Sequence, residues 1–176
     1  MPVKQFCLAA SLVMFLYAAP AAAEKLVFNH RLSAPLEQAF ESNDPARLSY
    51  NDQNPNYITD VVAVRGTSAA QWIEALVIVA RTPDQRVHSA ADWLAELKMQ
   101  AAQRCSSNFT TISQDEISVM FERRSTGCPA GYPPVAIYRA IAGKRSLFLL
   151  AAMAKDNISP ESWRQWRDVL VSAHIE

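Results

Sequence analysis

The sequence predicts an α+β fold, a largely antiparallel sheet with two main helices packed on one of its faces. Three observations carry this. Several short apolar runs are joined by hairpin-length links after residue 109. Two segments have helical spacing and recognisable N-caps. The elements follow in the order β-β-β-α-β-β-β-β-α.

The chain has 176 residues, half of them hydrophobic and 19% charged, with 17 basic residues against 17 acidic ones. That is room for one ordinary domain with a core. A zero net charge gives no electrostatic drive towards nucleic acid or an anionic membrane surface. Only four glycines occur, and neither G-x-x-x-x-G-K-[ST] nor G-x-G-x-x-G is found, so no phosphate cradle or cofactor motif is expected.

Residues 1–23 read as a secretory signal peptide. Lys4 supplies the basic start, Phe6 to Ala19 is uncharged and mostly apolar, and Ala21-Ala22-Ala23 offers small residues before Glu24. The run is short for a bilayer, which takes ~20 residues. Cleavage after Ala23 removes Lys4 and Cys7 and leaves 16 basic residues against 17 acidic. The expectation is a periplasmic or secreted protein, without stable membrane insertion once the leader is gone.

Residues 24–56 are polar and interrupted by turn chemistry, Asn43-Asp44-Pro45 and Asn51 to Asn56. They read as an irregular lead-in with a short strand around Arg47–Tyr50. The domain proper is placed at 57–176. Ile58–Arg65 is a valine-rich strand ended by Gly66-Thr67-Ser68, and Trp72–Ala80 is a second, apolar on both faces except at Glu74.

Ser89–Arg104 is the clearest helix. Ser89 is the N-cap and Asp92 takes the place usual for Glu in a capping box. Trp93, Leu97 and Ala101 form an inward stripe, which Cys105 extends. Four strands follow, at Phe109–Ser113, Ile117–Arg123, Val135–Ala142 and Ser146–Ala154. In the second, Ile117, Val119 and Phe121 alternate with Ser118, Met120 and Glu122, the period of a strand with one buried face. Ala142 to Arg145 reads as a hairpin turn. Ser159 caps the last helix, Pro160–His174, whose face is Trp163, Trp166, Leu170 and Ala173.

This order of elements, with the paired strands Tyr57–Arg65 and Trp72–Ala80, Trp93 in a capped helix, a Cys128 turn and a terminal Trp-bearing helix, resembles the PsbP-like α/β sandwich superfamily of small exported proteins. The resemblance covers roughly Tyr57 to His174. It implies a binding or assembly role and fixes no site residue.

Two cysteines in an exported domain point to a disulfide, Cys105–Cys128, closing 23 residues. The alternatives, a redox-active thiol or a metal site, lack a C-x-x-C, and His30, His88 and His174 stand at no ligand spacing. His88-Ser89 between Asp84 and Asp92 offers a nucleophile and base in name, but adjacent residues rarely converge on one atom and there is no G-x-S-x-G. Asp115, Glu116 and Glu122 read as solvated charge, and Asn51 to Asn56 lacks calcium-loop ligands.

The segment from Arg123 to Pro134 is longer than a tight hairpin needs, and prolines and Cys128 stiffen it. Arg123, Arg124, Tyr132 and Pro133 are its candidate binding residues, with Arg139, Lys144 and Arg145 expected nearby. The reading is a non-enzymatic exported binding or assembly protein whose partner is another envelope or secreted protein. A small hydrolase or inhibitor-like factor is the alternative. A small-ligand carrier is a third possibility, and it requires a cavity between sheet and helix.

Overall fold

The computed structural model describes residues 23–29, 46, 48–51 and 57–176. The leader expected at 1–23 therefore lies outside the described residues except for Ala23, as does most of 30–56. Two pieces of the expected lead-in form strands, β1 (Leu26–Val27) and β2 (Leu48–Asn51). The rest runs β3 (Tyr57–Gly66), β4 (Trp72–Arg81), α1 (Ala90–Ala102), β5 (Ser106–Gln114), β6 (Ser118–Thr126), β7 (Val135–Ala142), β8 (Leu147–Ala154), α2 (Pro160–Ser172) and β9 (His174–Ile175). The fold is α+β-like and dominated by sheet.

Seven strands form one sheet in the order β2-β3-β4-β8-β7-β6-β5, and every neighbouring pair is antiparallel. The chain lays down β2, β3 and β4, crosses the sheet through α1 to the far edge, and returns by the meander β5 to β8. Strand β8 then closes on β4, with Leu76 opposite Ala152 and Ile78 opposite Leu150. β1 pairs with β9 in a separate two-stranded ladder, Leu26 opposite Ile175.

The helices do not share a face. α2 packs with Leu76, Met120, Ile137, Ile141 and Leu150, whereas α1 packs with Val119, Phe121, Tyr138, Leu147 and Leu149. These two sets alternate along β6, β7 and β8, so they belong to opposite sides of the pleat. The expected one-sided arrangement gives way to a three-layer one because the central strands are apolar on both faces. β8, Leu-Phe-Leu-Leu-Ala-Ala-Met-Ala, is buried at every position but Met153. β6 follows suit: Met120 is as buried as Val119 and Phe121, while Ile117 falls before the strand and is exposed.

Both caps form as the sequence implies. Ser89 Oγ accepts from Asp92 N at 3.1 Å, and Asp92 reaches back to His88 N at 3.3 Å. Ser159 Oγ accepts from Ser162 N at 3.0 Å, with Pro160 opening α2. Trp93, Trp166 and Leu170 are buried; Leu97 and Trp163, expected to be buried with them, are half-buried. Glu74 is buried, and its carboxylate accepts the Trp166 Nε1–H, with Arg65 Nε at 3.7 Å. That contact fastens α2 to the sheet and satisfies a charge that would otherwise be costly to bury.

Candidate functional site

α1 crosses the sheet but covers chiefly β5, β6 and β7. Beside it, the same face of β4 and β8 is left partly open. A groove of about 480 Å³ results, with Val77, Val79, Leu149, Ala151 and Met153 as its floor and, as its wall, Trp93, Glu96, Leu97 and Gln100 of α1 with Arg104 in the turn after it. Volumes of this order suit small ligands.

The far end of the groove is built by the β6–β7 loop. Cys105 and Cys128 are joined by a disulfide, with Cα atoms 4.7 Å apart. The bridge continues the β5–β6 ladder beyond Ser106 and Thr126 and ties the exit of α1 to this loop. Pro129 to Tyr132 is a tight turn, in which Tyr132 N donates to Pro129 O at 3.1 Å and Gly131 sits at φ +82°. Glycine is the residue that adopts this left-handed position without strain. The turn brings Tyr132 back over the sheet.

Arg123, on β6, lies beneath. It is 1% exposed and is the largest fully buried side chain described. Its guanidinium donates to Tyr138 Oη at 3.1 Å, Ser125 Oγ at 3.0 Å and the Pro133 carbonyl at 2.7 Å. Its Cζ stands 4.6 Å from the centroid of the Tyr132 ring, which Arg104 also approaches, at 5.6 Å. All these partners are neutral; among the described residues no carboxylate lies within ion-pair distance of Arg123. Burial pushes the Tyr138 phenol up, so its hydroxyl stays protonated while accepting from Arg123.

The other arginine of the groove is handled differently. Arg81 bonds Glu96 Oε2 at 3.0 Å and the Asp84 carboxylate, and lies over Trp93 at 5.5 Å. Backbone N–H groups of Val87 and Arg86 hold the Asp84 carboxyl below its ordinary range. Trp72, also on the lining, carries Lys155 Nζ at 4.3 Å from its ring. The lining thus brings three arginines to one carboxylate, Glu96.

Of the candidate loop residues, Arg123 and Pro133 are buried, Tyr132 is half-buried against the groove, and Arg124 points outward to an ion pair with Glu122. The wider basic cluster does not form. Arg139 is on the opposite face, donating to Leu170 O at 2.8 Å and to Val171 O, because β7 alternates. Lys144 and Arg145 occupy the turn at the other end of β7, where their backbone N–H groups bond the Glu24 carboxylate. His88 is exposed beside Asp92, and Ser89 is engaged as a cap. Asp115 accepts from Ser118 Oγ and from the backbone of Ile117 and Ser118, a turn role.

Sequence reasoning missed Arg81, Glu96, Gln100 and Arg104. Glu96, Gln100 and Arg104 are spaced by four, a polar stripe beside the apolar stripe of Trp93, Leu97 and Ala101, and that pattern was available. No described helix is long and apolar enough to cross a membrane, and no cluster of three His, Cys, Asp or Glu side chains suited to a metal occurs among the described residues. No protein-family model matches the chain, and no curated protein matches it.

Proposed function

We propose that this is an exported binding protein whose site is the groove between α1 and the β4–β8 part of the sheet. The observation that carries the reading is the groove itself: a helix covers part of an apolar sheet face and leaves about 480 Å³ beside it. A groove of this size between helix and sheet supports the small-ligand reading. Binding is further supported by the lining, in which aliphatic and aromatic side chains surround a few placed polar groups. Export is supported by the leader-like residues 1–23 and by the disulfide, a bond that persists in oxidising compartments. The resemblance to the PsbP-like superfamily, with its binding and assembly roles, points the same way.

The test uses a neutral apolar fluorescent probe, N-phenyl-1-naphthylamine. Its emission should rise on mixing with the protein, and Val79→Trp, which fills the groove floor, should abolish the rise. Gln100→Trp, on the exposed helical wall, should weaken it without touching the core. A rise that both variants leave intact would place the probe elsewhere and end the groove reading.

A second reading keeps the β6–β7 loop as a docking surface for an envelope or secreted protein. It is favoured by the exposed outer side of the turn, Pro129, Ala130 and Gly131, held rigid by the disulfide.

A further inference from the structure

We infer that the groove selects an organic anion with an apolar body, an amphiphilic carboxylate, whose charged end sits where Arg104, Tyr132 and Arg123 meet. The inference rests on the groove being a binding site and adds what it binds.

The argument begins with charge. A buried guanidinium is costly unless an opposite charge stands near it. Arg81 has Glu96 and Asp84, and Glu74 has Arg65; Arg139, only half-buried, rests on the Leu170 and Val171 carbonyls. Arg123 has hydrogen bonds to three neutral oxygens and the faces of two tyrosines, which orient it and leave its charge uncompensated. Arg104 adds a second positive group above the same Tyr132 ring, from the exposed side. Glu96, the one carboxylate of the lining, is already bonded to Arg81.

The positions then divide the ligand. The floor is apolar, with Val77, Val79 and Met153 half-buried around buried Leu149, and suits a hydrocarbon or ring. Arg104 is exposed and can meet a carboxylate directly. Arg123 acts from below through a medium of low dielectric, where charge carries further than in water. A cationic amphiphile would meet two uncompensated positive charges there and be rejected.

The experiment compares decanoate, decanol and decyltrimethylammonium by titration calorimetry against the intact, oxidised protein. Decanoate should bind at least about tenfold more tightly than decanol, and the cation more weakly than either. Arg104→Gln, a surface change, should bring the affinity for decanoate down towards that for decanol, so that the ratio of the two falls. Arg123→Gln should do the same if it folds, and Arg104→Gln alone suffices if it does not. Equal binding of decanoate and decanol overturns the anion inference and leaves the groove standing. Absence of binding for all three, together with an unresponsive naphthylamine probe, removes both.

Discussion

Two buried charged groups on opposite faces of the sheet, Glu74 and Arg123, are compensated in different ways. On the α2 face, Glu74 is buried and its partners come to it: the Trp166 indole from the helix and Arg65 from β3. There Trp166, Val169 and Leu170 press on Leu76, Ile137 and Leu150, while a second groove, lined by Ser118, Arg139, Ile141 and Ala173, opens at the end of the same face. On the α1 face, Arg123 is buried among neutral groups, and the helix stands aside from β4 and β8. Stability alone favours the first solution. On the function proposed above, the uncompensated cation beside the apolar groove is the part of the molecule that a ligand completes.

The contrast can be broken most forcefully from the α2 side. Trp166→Ala should cost about 3–5 kcal/mol, by a cavity and by the loss of the Glu74 donor, measured by urea denaturation. A cost under about 1 kcal/mol would mean that α2 is not fastened as described. Replacing both Cys105 and Cys128 by alanine should cost roughly 3–4 kcal/mol from loop-closure entropy. The same change should also weaken naphthylamine binding, because the loop carrying Tyr132 is released. Leu97→Ala should cost only about 1–2 kcal/mol, since half-buried Leu97 borders the groove, against about 2–5 for Leu170→Ala. Equal costs would mean that the α1 face is as closed as the other.

The smallest expected effect is a gain. One carboxylate oxygen of Asp60 is buried without a partner, and burial raises its pKa. A raised acid pKa means the folded state disfavours the ionised form, so the cost is present at neutral pH and vanishes as pH falls below about 4. Asp60→Asn should therefore stabilise the protein by less than about 1 kcal/mol at pH 7, because the group is partly solvated, and not at pH 3. A loss at pH 7 would reveal a partner for Asp60.

The local elements were legible because their signals are local. Ser89 and Ser159 announce their helices, Pro160 opens the second, and Cys105 and Cys128 declare their bridge. The side of the sheet each helix takes was not legible, since continuous apolar strands such as Leu147–Ala154 allow either face. Arg123 could be singled out from its loop, but its burial could not, because that depends on a turn at Gly131 and on Tyr138 of the neighbouring strand β7. The groove needed the strand order, with α1 crossing to the far edge, and no spacing in the sequence encodes that.

The four tryptophans report the two faces separately. Trp72 and Trp93 line the groove, while Trp163 and Trp166 pack on the opposite side. In a ¹H–¹⁵N correlation spectrum followed through a decanoate titration, the indole signals of Trp72 and Trp93 should shift together and saturate, with those of Trp163 and Trp166 unmoved. Shifts confined to Trp163 and Trp166, or none at saturating decanoate, would contradict the assignment of the groove as the binding site.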